Sequence, residues 1–154
     1  MKRNLEVTLL LVSICVGGGQ SDHNQYEPDA IAVVAEHQLK EMKFPPEQLV
    51  CLSLPNYKDP KTQFLQKING QGLHLRPGSS CWKPPRGFLL LLNDYQRGKE
   101  GIEVRVEVDD MNLDGAHVTS RLRETKYELR FDNGQWKISS YSVTSFGAAR
   151  KPQE

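Results

Sequence analysis

Cys51 and Cys81 carry the side chains with the widest chemical range in this chain, because a thiol can serve as nucleophile, metal ligand or half of a disulfide. They stand in the stretches LVCLSL and GSSCW. Metal binding asks for further donors at short spacing, as in CxxC or HxxxH. Neither pattern occurs, and His23, His37, His74 and His117 stand singly. A nucleophilic thiol needs a depressed pKa, commonly from a helix N-terminus. Lys83-Pro84-Pro85 follows Cys81 at once, and two prolines oppose a helix opening there. Oxidative pairing of Cys51 with Cys81 is the remaining chemistry. It closes a loop of about 30 residues, worth roughly 3–4 kcal/mol in the chain-entropy model.

Ser80-Cys81-Trp82 resembles the cysteine region of papain-type proteases. That family places its histidine about 130 residues downstream. Here His117 is the only histidine after Cys81 and the sequence ends at Glu154, so no catalytic residue is assigned.

The other clusters have plain readings beside functional ones. Asp109, Asp110 and Asp114 surround a turn, where carboxylates can hold a divalent cation or exchange a proton. Their spacing is not that of an EF-hand loop, so they read as a solvated turn and no metal is assigned. Arg121, Arg123, Lys126 and Arg130 form a basic run that can meet an anion or an acidic partner. Glu103, Glu107 and Glu128 are placed to neutralise it across strands. Tyr57, Trp82, Tyr95, Trp136 and Tyr141 are the aromatic candidates for lining a pocket, and Trp82, in a proline-rich loop, is the better surface anchor. Trp136 is assigned to the core against Phe131. The candidate binding residues are therefore Trp82, Arg121, Arg123 and Tyr57. No phosphate-cradling glycine loop and no Ser-His-Asp order is present, and no cofactor is implied.

Compartment decides the redox argument. Lys2 and Arg3 precede the apolar run Leu9–Val16 and then Gly17-Gly18-Gly19, the order of a secretory signal. The run is too short for a permanent span. Cleavage is expected near Gly18 or Gly19. Ile14, in place of a small residue, separates Cys15 from a lipobox. Removing residues 1–19 takes away two basic residues and one acidic, which brings the formal charge of +1 to zero. That balance excludes the basic excess of a nucleic-acid binder. An even pair of cysteines in a secreted or periplasmic chain points to a disulfide.

The elements that position these residues follow from periodicity. After a polar leader at 20–27, Ala30, Val33, Val34 and His37 recur at helical spacing, with Pro45-Pro46 as the stop. Residues 49–54 read as a strand. Asp59-Pro60 reads as a helix start with Asn69-Gly70 as its end. Residues 71–87 read as loop with a short extended piece at Leu73–Leu75. Residues 88–92 read as a strand buried on both faces. Ile102, Val104, Val106 and Val108 alternate with charged residues, giving a strand with one core face and one wet face. Pairing Val108 with Val118 sets Val104 against Leu122 and Glu103 against Arg123. The parity of Tyr127, Leu129 and Phe131 then demands a bulge between Leu122 and Tyr127. Asp132-Asn133-Gly134-Gln135 is a two-residue hairpin pairing Phe131 with Trp136 and Leu129 with Ile138. The tail from 146 to 154 reads as frayed.

The segment KYELRFDNGQWKISSYSV is similar to the closing strands of NTF2-like and cystatin-like domains. That resemblance implies a helix packed across a curved antiparallel sheet. The layout LVCLSL, DPKTQFLQKI and SSC is similar to uncharacterised exported bacterial proteins with the same two cysteines. The expected fold is a single α+β domain over 28–145, with two helices on a mainly antiparallel sheet of four to five strands. The expected function is that of a small, exported, non-enzymatic domain that binds a protein or cell-envelope partner. The alternatives are an NTF2-like pocket for a small molecule, with His117 or Tyr127 turned inward, and an immunity or inhibitor protein.

Overall fold

The computed structural model describes residues 25–44, 47–112 and 120–146. The expected signal at 1–19, Cys15, most of the expected leader, His117, Val118, Asp114 and the last eight residues lie outside them. The elements in order are α1 (Pro28–Met42), β1 (Val50–Ser53), a 3-10 turn (Pro55–Tyr57), α2 (Thr62–Asn69), β2 (Arg76–Pro77), a second 3-10 turn (Gly78–Trp82), β3 (Phe88–Arg97), β4 (Gly101–Asp110), β5 (Ser120–Asp132) and β6 (Gln135–Ser145). The strands form one sheet in the order β2-β1-β3-β4-β5-β6. β1 runs parallel to both β2 and β3, and every later pairing is antiparallel. This is the expected α+β class with six strands in place of four to five. The extra strand is β2, whose two residues fall just past the extended piece expected at Leu73–Leu75. Leu73 and Leu75 are buried in a loop held by Asn69, whose side chain bonds both the N–H and the C=O of Leu75 at 2.9 Å.

The pleat sorts side chains onto two unlike faces. The helix face is apolar. Val50, Leu52, Leu90, Leu92, Ile102, Val104, Val106, Val108, Tyr127 and Leu129 pack there against α1 and α2. α1 starts with Pro28 and ends on Lys43, whose left-handed backbone returns its N–H to Leu39 O. Its buried stripe is Ala30, Ile31, Ala32, Val34, Ala35 and Gln38, rotated from the expected one, so Val33 and His37 sit half-buried at the boundary. α2 starts at Thr62, because Asp59 does not cap it. Asp59 Oδ1 instead accepts the Ser79 N–H at 2.8 Å.

The opposite face divides in two. Near β1 and β3 it is covered by the loop that carries Cys81. Across β4 and β5 it carries a ladder of charges. Lys126 pairs with Glu103 at 2.8 Å and Arg105 with Asp94 at 2.9 Å, while Asn93 donates to Glu107 at 2.9 Å. The wet face expected for β4 is therefore only partly wet, since Glu107 and Asp109 are buried.

The β4–β5 register differs from expectation. Val108 faces Arg123, Val104 faces Tyr127 and Glu103 faces Glu128, with the irregularity between Val108 and Asp109. The slip exists, but it falls at Leu122 and not between Leu122 and Tyr127. The physical reason is Arg123, which turns to the helix face beneath the end of α1 and pairs there with Glu41 at 3.6 Å. The final hairpin pairs Phe131 with Trp136 and Leu129 with Ile138 as expected, and Asn133 and Gly134 take φ of 50° and 77°. Trp136 packs only at the margin of the core, and Phe131 lies outside it. Their rings meet edge-on at the surface, with Phe131 exposed and Trp136 half-buried.

Gly101 opens β4 where a Cβ would lie 2.1 Å from Leu129 O, a backbone atom that has nowhere to go. Gly101→Ala is expected to cost about 2 kcal/mol or more in urea unfolding, while Gly98→Ala, in ordinary contact distance only, stays within about 0.5 kcal/mol.

Candidate functional site

Cys51 sits in β1 on the face turned away from the helices, paired in register with Leu89 of β3. Cys81 lies in the second 3-10 turn, and the two sulfurs are bonded. Both cysteines are fully buried with Leu89 and Met111, and half-buried Leu49 packs against them. The loop approaches β1 so closely that a Cβ at Gly78 would overlap Ser53 Oγ. The Ser79 N–H bond to Asp59 fixes a third point. The loop is thus held to the sheet by a covalent bond, a close backbone approach and a charge-assisted hydrogen bond.

Trp82 ends this fixed turn and is 47% exposed. Tyr57, also 47% exposed, meets it edge-on with ring centroids 6.0 Å apart. Two of the four candidate binding residues therefore come together, from segments 25 positions apart in sequence. Tyr57 reaches this position through an unusual backbone. Asn56 and Tyr57 both take left-handed φ, at 61° and 57°. Asparagine tolerates that region, but tyrosine does so at a cost on the order of 1 kcal/mol. The Leu54 N–H bond to Lys58 O at 2.8 Å closes the turn and holds the conformation. Lys83, Pro84, Pro85 and Arg86 follow Trp82 and are all exposed, so the aromatic pair adjoins a basic, proline-rich rim.

The other two candidates lie elsewhere and do different things. Arg121 is on the charged face, where its guanidinium meets Glu107 and approaches Asp109 at 4.0 Å and Glu124 at 3.9 Å. Arg123 is buried on the helix face, donating to Thr125 Oγ1 at 3.2 Å. These two arginines form no common anion site, because the bulge at Leu122 sends them to opposite faces of the sheet.

Three further features lie outside the four candidate residues. Tyr127 is fully buried, with its hydroxyl 2.9 Å from His37 Nδ1, and burial pushes its pKa far up. Gln38 is a polar residue fully buried in the stripe of α1. An open depression of about 930 Å³ lies at the hairpin end of the sheet, lined by Glu27, Arg97, Arg130, Phe131 and Trp136 among others. Among the described residues no three His, Cys, Asp or Glu side chains converge as a metal site requires.

Asp109 carries a testable charge. Burial raises its pKa above the ordinary carboxylate value, opposed by Arg121 and reinforced by Glu107. A raised folded-state pKa means that the ionised form is disfavoured on folding. The protonated carboxyl's contribution to stability is complete below the unfolded value and is lost as pH rises through the folded one. Asp109→Asn is therefore expected to raise the melting temperature relative to the parent more at pH 7 than at pH 3. Equal differences at the two pH values would contradict the assignment.

Compared with protein-family models, curated proteins and solved structures, the chain matches none.

Proposed function

We propose that this disulfide-stabilised α+β domain is exported and acts, without catalysis, by binding a protein or cell-envelope component through the Tyr57–Trp82 surface. The observation that carries the reading is the exposed aromatic pair on a loop tied to the sheet by Cys51–Cys81. Exposed aromatic side chains on a rigid support lose little entropy on binding, which is why they recur as interface anchors. Lys83 and Arg86 beside the pair favour a partner with apolar and acidic groups together. Export is supported by the apolar run between Lys2-Arg3 and Gly17–Gly19, and by the chemistry of a persistent disulfide. No helix among the described residues is long and apolar enough to cross a membrane. An immunity or inhibitor role is one form of the same binding function and uses the same surface.

The likeness to NTF2-like and cystatin-like domains is proposed as a second reading. It is supported by α1 lying on antiparallel strands and by Tyr127 turned inward to His37. In that reading the space between α1 and the sheet takes a small molecule. The packing of Ile31, Val34, Val104, Tyr127 and Leu129 into one cluster weighs toward the surface-binding reading instead.

Trp82→Ala and Tyr57→Ala remove exposed rings and leave the core intact. Each is expected to keep the parent's melting temperature within a few degrees and to lower recovery of partners from envelope extracts about tenfold, the effect of losing one hot-spot aromatic. Unchanged recovery with both variants would end this reading.

A further inference from the structure

The two edges of the sheet are built differently. On one side β2 has two residues, ends in Pro77 and passes into the disulfide-bound turn, so it offers almost no open ladder. On the other side β6 runs for 11 residues and pairs only with β5 among the described residues. An open strand edge invites pairing, and proteins ordinarily guard it with charge, proline or a bulge. Among the described residues β6 is guarded at its hairpin end, by Lys137 paired with Asp132 at 2.8 Å and by a register shift at Ser139. From Ser140 to Phe146 there is no charge, no proline and no glycine. Over this stretch Tyr141, Val143 and Phe146 are exposed, at 48%, 41% and 42%. Tyr141 and Val143 share the helix face with Tyr127 and Thr125, and Ser140, Ser142 and Thr144 line the opposite face. α1 lies beside this strand, with the His37 ring 4.6 Å from that of Tyr141.

We propose that β6 is the dimer interface of this protein, pairing antiparallel with β6 of a second copy to continue the sheet. The strand is self-complementary in a way that an arbitrary partner would not require. A two-fold axis through Ser142, perpendicular to the sheet, sets Tyr141 opposite Val143 of the second copy and Ser140 opposite its Thr144. Aromatic meets β-branched on one face and hydroxyl meets hydroxyl on the other. No charge faces a like charge, because the stretch has none. The five residues 140–144 that face one another give a ladder of about 17 Å, and the apolar row continues the helix-face core across the join. The interface lies at the opposite edge of the sheet from Cys51–Cys81 and is independent of the Tyr57–Trp82 surface.

The test is sedimentation velocity on the purified protein and two variants at Ser142. The parent is expected to sediment at twice the chain mass at tens of micromolar. Ser142→Lys places two ammonium groups against each other at the axis and is expected to weaken self-association about tenfold or more, with an unchanged melting temperature. Ser142→Cys places two thiols at opposed positions, where directly facing residues have Cα atoms about 4.5–5.5 Å apart, and is expected to form an interchain link on air oxidation. A parent that stays monomeric at every concentration overturns the proposal, as does association unaffected by Ser142→Lys. If Ser142→Lys lowers the melting temperature, the cysteine variant decides: a linked dimer supports the interface, and its absence overturns it.

Discussion

A single sulfur–sulfur bond between β1 and the turn at Gly78–Trp82 settles how the second face of this sheet is closed. The helices cover only one face. On the other, Cys51 and Leu89 would meet water, because β1 and the start of β3 are apolar on both sides. A proline-rich loop has little hydrophobic payload with which to cover them. Cys81 removes that difficulty, since the cross-link confines the loop to the sheet in the folded state and restricts the unfolded chain. Once the loop is confined, Gly78 settles against Ser53, Asp59 meets Ser79, and Trp82 is fixed at the rim beside Tyr57.

Away from the cross-link the same face is held by a different device. Along β4 and β5 the charges alternate in sign, but those directly opposite are alike, as in Arg105 facing Lys126 and Glu107 facing Glu124, so the ion pairs run diagonally: Lys126 to Glu103, Arg105 to Glu124 and Arg121 to Glu107. Exposed pairs of this kind contribute little each. Their effect here is on register, because a slip by one residue would bury the charges against α1 and expose Val104 and Val106. Arg123 is the exception that the bulge creates. It reaches the helix face and is accepted there because Glu41 and Thr125 satisfy it.

The parts of this arrangement that were legible in the sequence are the ones written locally. The Asn-Gly turn sets its own register, the alternation from Ile102 to Val108 declares a half-buried strand, and Cys51 and Cys81 were paired on the expectation of export. α1 was legible from Pro28 and from its apolar spacing. What escaped depends on tertiary partners. Arg123 belongs to the helix face only because Glu41 lies above it, and without that knowledge a bulge at Leu122 looks less natural than one further on. The burial of Glu107 and Asp109 follows from neighbours on other strands, whereas in sequence they alternate like surface residues. Tyr57 and Trp82 were each legible as loop aromatics. Their meeting was not, because it requires both the left-handed turn at Asn56-Tyr57 and the cross-link that brings the Cys81 turn to β1.

The role of the cross-link as the fastening of the second face is most directly measured by hydrogen exchange on the Cys51→Ala/Cys81→Ala variant against the parent. Amides from Arg76 to Leu90 should lose protection while those of α1, β4 and β5 retain most of theirs, in step with a global destabilisation of roughly 3–4 kcal/mol. Protection over Arg76–Leu90 that survives removal of both sulfurs would contradict the claim, because the loop would then be held by its packing alone.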